Sequence, residues 1–156
     1  MSINIESEII KLEAHNIAVG HLEDDLKEVT QLIKDKRNEE DGITQGQIDA
    51  DALSHNTEDQ DNILAMQQKV ISIKAQLTLI NKFKDVRPTS IVDPGSLVFV
   101  QDQAFYVSTS VESFNHKGHK ITCISVETPM YKGMKGLKAG DNYMCNGKNY
   151  TIQNIA

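Results

Sequence analysis

The sequence predicts an α+β protein in two parts: an antiparallel helical hairpin over residues 1–86, then a small antiparallel β-domain with one short helix over 87–156. Three observations carry this. Before Pro88 the apolar residues recur at helical spacing with no proline among them; beyond it, short apolar runs alternate with Gly- and Asn-containing turns. Aromatic residues are 5% of the chain with no Trp, too little ring volume for a thick β-sandwich. Charged residues are 24% and no apolar run reaches the roughly 20 residues of a membrane span.

The first helix is expected over residues 5–33. Ile5, Ile9, Leu12, Val19, Leu22, Leu26, Val29 and Ile33 form a seam near the coiled-coil period, with Asn16 as a polar interruption. Glu6 and Glu8 near its start and Lys34, Lys36 and Arg37 near its end complement the helix dipole. The second helix carries Ile63, Met66, Val70, Ile73, Leu77 and Ile80, a seam that Leu53, Asn56 and Gln60 extend backwards. Neither narrow stripe can be buried alone, so the two helices are expected to pair as a hairpin arm roughly 40 Å long. The tip falls at about residues 39–56, because Gly42 to Gly46 interrupt the helix there. Pairing of the same seams between two chains is the alternative; folding back predicts a monomer.

Beyond Pro88, residues 96–100 and 104–108 read as a hairpin about Asp102-Gln103. Residues 119–126 form a further strand after an Asn115-His116-Lys117-Gly118 turn, and a short helix starts at Pro129. Asn146-Gly147 joins 142–145 to 148–155 in a last hairpin, Asn-Gly being the strongest two-residue hairpin signal.

Charge divides as the elements do. Residues 1–86 carry 9 Lys/Arg and 17 Asp/Glu, net −8, whereas residues 87–156 carry 7 and 5, net +2. Residues 38–61 contain eight acids and no Lys or Arg, which excludes phosphate binding there; the block reads as a solvated loop, or alternatively as one that enters a basic channel or approaches a metal ion. Cys123 and Cys145 lack C-x-x-C spacing and read as packed free thiols. The start of the chain has no basic and apolar leader, so a cytoplasmic protein is expected. His116 and His119, flanking a turn, read as exposed histidines and not as metal ligands. No phosphate loop or nucleophile elbow is found, and the protein is not expected to be an enzyme itself.

The segment Ile124-Ser125-Val126-Glu127-Thr128-Pro129, the run Lys132-Gly133-Met134-Lys135-Gly136-Leu137-Lys138-Ala139-Gly140-Asp141 and the ending Tyr150-Thr151-Ile152-Gln153-Asn154-Ile155 carry a resemblance. Together they resemble the Gre family of bacterial transcription elongation and transcript cleavage factors, whose pattern is I-S-x-x-S-P, then G-x-x-x-G-D, then Y-x-I-x-x-I. Thr128 stands where that pattern has Ser. The resemblance implies a coiled-coil hairpin joined to an FKBP-like domain, RNA polymerase as partner, and nucleic acid met only within the elongation complex. The C-terminal domain would dock at the rim of the secondary channel through Pro129, Met130, Tyr131, Lys132, Met134, Lys135, Lys138 and Asp141, while the arm enters the channel. Met130, Tyr131, Met134 and Leu137 are alternatively core residues. A prolyl isomerase is disfavoured for want of an aromatic-lined pocket.

In cleavage factors of that family, tip acids help hold a Mg²⁺ in the polymerase's own active centre; the factor has no cofactor itself. The family tip reads G-D-L-S-E-N-A-E-Y. The best match here is Asp51-Ala52-Leu53-Ser54-His55-Asn56-Thr57-Glu58-Asp59, which puts Ala52 and His55 where the two acids belong. Neither is a carboxylate, and a cationic His repels the metal. Weak or absent cleavage is therefore expected. The alternatives are an active cleavage factor using Asp49, Asp51 or Glu58 as substitutes, and a self-associating coiled-coil protein unrelated to transcription.

Overall fold

The computed structural model describes residues 5–43, 50–85 and 89–156, with side chains over 5–38, 60–85 and 89–156. Two helices come first, α1 (Ile5–Ile43) and α2 (Ala50–Asn81). They are followed by β1 (Leu97–Val100), β2 (Gln103–Val107), β3 (Val111–His116), β4 (His119–Ile124), α3 (Pro129–Met134), β5 (Asn142–Cys145), β6 (Lys148–Thr151) and β7 (Asn154–Ile155). The α+β class is as the sequence predicts. The chain forms two compact units, Leu22–Leu77, and Met1–His21 together with Thr78–Ala156.

The Leu22–Leu77 unit is helical. On α2 the expected stripe is the buried one: Ile63 and Ile73 are buried and Met66, Val70 and Leu77 half-buried. On α1, Leu22 and Val29 are buried and Leu26 and Ile33 half-buried, again as the seam predicts. The helix runs past Arg37 to Ile43, so the basic residues taken to mark its end lie before its last turn.

In the other unit Ile80 is buried and Val19 half-buried as the seams predict, but the first turns of α1 depart from the expected seam. Ile5, Ile9 and Leu12 are exposed at 68%, 46% and 47%, and the buried face is Ser7, Ile10, Lys11, Ala14, His15 and Ala18. Asn16, expected within the seam, is exposed. These turns meet a sheet. Ala14 and Ala18 are fully buried there, and Ser7 and His15 find polar partners on the strands. Hydrophobic periodicity is blind to such a face because its members are small or polar.

The sheet has the order β3-β4-β2-β1-β7, with β5-β6 a separate two-stranded ribbon. β1 pairs antiparallel with β2 and β7, and β3 with β4, but β2 and β4 run parallel from Gln103↔Lys120 to Val107↔Ile124. The expectation of a wholly antiparallel domain is thus corrected. The cause is β3, which the sequence reading missed: its residues Val111-Glu112-Ser113-Phe114-Asn115-His116 are mostly polar because it is a sheet edge. The chain passes outward through β3 and returns as β4 in the direction of β2. The single strand expected over 148–155 is also divided. β6 ends at Thr151, and after Ile152-Gln153 the chain crosses to the large sheet as β7.

Both faces of the central strands are covered, which is why Leu97–Val100 reads as an unbroken apolar run. Val98, Val100, Phe105, Val107 and Ile124 point to one face, where they join Tyr131 and Met134 of α3, Tyr143 and Cys145 of β5, and Val92 and Ile152. Leu97, Phe99, Tyr106, Ile121 and Cys123 occupy the opposite face by strand alternation and register. There Asn154 Nδ2 donates to Ser7 Oγ at 2.6 Å, and His21 of α1 stacks on Phe114 at 5.7 Å. Both cysteines are free and buried, and burial pushes the Cys123 thiol up to about 12, leaving it protonated and inert.

Gly95 marks where the segment after α2 enters the sheet. Its φ is +93°, and an added Cβ would lie 2.8 Å from Phe83 Cδ1. Gly118, in the β3–β4 turn, has φ +80° but open space around it. Gly118→Ala therefore incurs only the backbone penalty, about 1–2 kcal/mol, while Gly95→Ala adds displacement of the Phe83 ring. Urea unfolding midpoints of the two variants, measured side by side, should fall below wild type in that order.

Candidate docking surface

The segment from the end of β4 to β6 contains the residues singled out in the sequence for docking. Its local structure follows from side chains that replace missing backbone partners. Thr128 is the N-cap of α3: its Oγ1 accepts from Tyr131 N at 3.3 Å and donates to the Ser125 carbonyl at 2.8 Å. Ser125 Oγ accepts from Glu127 N at 3.3 Å, and Pro129 opens the helix, where a missing N–H does no harm. A Thr hydroxyl provides the same capping oxygen as a Ser hydroxyl.

Helix α3 stops because Gly136, at φ +80°, turns the chain toward the segment before β1. Gly136 N donates to the Val92 carbonyl and Val92 N to the Leu137 carbonyl, both at 2.8 Å. A second turn follows. Lys138 N donates to Asp141 Oδ2 at 2.9 Å, and Asp141 N donates back to the Lys138 carbonyl at 3.0 Å. Gly140 takes φ +94° and donates to the Ile152 carbonyl at 2.7 Å, tying this turn to the end of β6. Asp141 is therefore a turn-forming residue with its carboxylate engaged.

The side chains separate by chemistry. Tyr131 and Met134 are buried at 4% and 0% and belong to the core, so the docking role expected of these two has no exposed surface behind it. Met130 and Leu137 are half-buried against the same core, and the Tyr143 hydroxyl donates to Met130 Sδ at 3.3 Å. Burial, reinforced by Tyr150, pushes the Tyr143 phenol up to about 12. Pro129, Lys132, Lys135 and Lys138 are exposed. On the adjacent ribbon, Lys148 Nζ sits over the Tyr150 ring at 5.8 Å, and Met144 is 71% exposed. The surface presents three lysines beside the half-buried Met130 and Leu137.

The tip residues do not assemble into a site that can be stated. Asp49 lies outside the described residues. Asp51, Ala52, Leu53, Ser54, His55, Asn56 and Glu58 fall within α2, but their side chains are outside the described residues. Among the described residues no group of three or more His, Cys, Asp or Glu could hold a metal ion, and no helix is long and apolar enough to cross a membrane.

The sequence reading missed one constellation, between α1 and the sheet. The hydrogen bond between His15 Nδ1 and the Tyr106 hydroxyl is 2.7 Å long. The Glu13 carboxylate accepts from His116 Nε2 at 2.5 Å and from Lys117 Nζ at 2.8 Å, and these contacts hold its pKa below the ordinary value. His119 packs edge-on against Phe99 at 5.2 Å. The two turn histidines are thus half-buried and engaged, not exposed as expected. Partners 91 and 103 residues apart leave no local spacing by which a sequence reading finds them.

No protein-family model matches the chain, and no curated protein matches it.

Thr128→Ala removes the cap of α3 and should lower stability by about 1 kcal/mol, whereas Thr128→Ser should lie near wild type. Thermal or urea unfolding of the two variants measures the difference.

Proposed function

We propose that this protein is a Gre-like regulator of transcription elongation that binds RNA polymerase through its C-terminal domain and inserts its helical arm into the secondary channel. The observation that carries the reading is the placement of the motif residues in segment 124–155. Thr128 caps α3, Pro129 opens it, Gly140 and Asp141 build the turn that follows, and Ile152 is buried in the core. The order of two long helices and then a β-domain with one short helix supports the same reading, and an FKBP-like topology for that domain is part of the proposal.

Docking uses Lys132, Lys135 and Lys138, which face solvent, together with Pro129 and the exposed edge of Met130. Tyr131 and Met134 contribute by fixing the helix from below. The acidic tip, with Ala52 and His55 at the aligned positions, gives weak or absent stimulation of cleavage. Any Mg²⁺ is held jointly with the polymerase, whose own active centre performs the hydrolysis. The protein acts as a cytoplasmic monomer in this reading.

Pull-down with the cognate core polymerase tests the proposal. Wild-type chain should bind at micromolar concentration; absence of binding there sinks the reading. Changing Lys132, Lys135 and Lys138 together to Glu should weaken capture at least about tenfold, with a shallower dependence on salt. On a backtracked elongation complex, the wild-type chain should release labelled RNA at little above the background rate. Robust cleavage that disappears in Asp49→Ala/Asp51→Ala would instead establish an active cleavage factor with substitute ligands.

A further inference from the structure

Four of the five histidines lie in one layer: His15 and His21 on α1, His116 and His119 on β3 and β4. They lie where the first turns of α1 cover the face of the sheet that carries Tyr106. We propose that these turns are a pH-sensitive latch, in which mild acidification puts an uncompensated charge on the buried His15 and frees residues 7–21 from the sheet.

The geometry makes His15 the weak point. The residue is 3% exposed and meets Tyr106, itself 0% exposed, through the 2.7 Å bond and an edge-on contact at 5.9 Å. Burial pushes the imidazole below 6.5, the value of a free histidine, and raises the Tyr106 phenol, so both are neutral in the docked state. A proton added to His15 still lets Nδ1 donate to the Tyr106 hydroxyl, but it buries a full charge against a neutral partner. Beneath Tyr106, its register partner Cys123 offers a protonated thiol and no counter-charge.

The other titratable groups of this layer act differently. Glu13 is tied to His116 and Lys117, and a charged His116 strengthens that tie. Lys11, buried one turn before His15, adds positive charge on the same helix face, opposed by Glu8 and by Asp93. His21 rests on Phe114, and His119 against Phe99 with its Nδ1 buried and unpaired among the described residues. No carboxylate among these is bonded to His15.

The sign follows from linkage. The released helix binds a proton at His15 with the ordinary pKa of 6.5 and the docked helix with a lower one. Docking is therefore at full strength above 6.5 and weakens as pH falls below it, about tenfold per pH unit until the docked value is reached. Glu13 has the opposite limit: its lowered pKa preserves its ion pairs throughout this window, and they weaken only on stronger acidification.

The test is amide hydrogen exchange on the full chain between about pH 7.5 and about pH 5, corrected for the intrinsic pH dependence of exchange, with imidazole resonances recorded on the same sample. Protection of residues 7–21 should fall with the slope given above, while amides of β1 and β2 stay protected. His15→Gln retains a polar partner for Tyr106 without titrating and should flatten the response; His116→Gln removes the opposing tie to Glu13 and should leave the response at least as steep. A His15→Gln variant with the wild-type slope overturns the proposal, as does a flat response in His116→Gln. If His15→Gln does not dock α1 even at neutral pH, the wild-type resonances decide. His15 staying neutral until residues 7–21 lose protection supports the latch, and His15 titrating at 6.5 beneath a protected helix refutes it.

Discussion

Beyond the exposed Gln103, strands β1 and β2 contain no face that water can wet: Leu97, Val98, Ala104, Tyr106 and Val107 are each fully buried, and Phe99, Val100 and Phe105 nearly so. A sheet with two apolar faces needs two covers, and the rest of this unit follows from that requirement. One cover is α3 with the β5–β6 ribbon, supplied from the sequence immediately downstream. The other is the beginning of α1, supplied from the far end of the chain. One cover is fixed by backbone groups that Thr128 and Asp141 satisfy, the other by side-chain bonds of Ser7, Glu13 and His15 to the strands.

The two covers differ in composition because they differ in what they leave exposed. Helix α3 has six residues, and with Tyr131 and Met134 inward its remaining surface is Pro129, Lys132, Gly133 and the exposed edge of Met130. Gly133 faces the backbone of Met144, where an added Cβ would be 3.6 Å from the carbonyl oxygen, so this helix lies close on the ribbon. The lysines are thus carried on a small, well-braced support. In α1, by contrast, the sheet takes the small and polar face and leaves Ile5, Ile9 and Leu12 in solvent. Burying the more apolar stripe would have brought bulky side chains against Tyr106 and Phe99, with Ser7 and His15 deprived of their partners.

These preferences explain which parts of the structure the sequence revealed. The α2 stripe, the β1–β2 hairpin, the Pro129 helix and the Asn146-Gly147 turn all rest on spacings of a few residues, and each was legible. The polar edge strand β3 was not, because an edge need not alternate strongly. Without β3 the parallel pairing of β2 with β4 was invisible, since direction depends on how many strands intervene. The face of α1 was misread because its partners lie across the domain and its contacts are Ala, Ser and His. At the docking surface, Lys132, Lys135 and Lys138 stand out in sequence because they interleave with apolar residues, of which Tyr131 and Met134 belong to the core.

The bond between Ser7 and Asn154 spans 147 residues, and those of Glu13 and His15 to the sheet span about a hundred. Such separations make for slow folding, because the entropy of closing a large loop is lost before its contacts contribute. During synthesis, α1 emerges long before β1 and β2, its first turns carrying Ile5, Ile9 and Leu12 outward and no sheet yet to lie on. The compact helical segment Leu22–Leu77 shortens the effective loop once formed, since its two ends then belong to a structured body and not to a free coil. Assembly of the β-bearing unit is thereby biased toward a late, concerted step that awaits residues near 154.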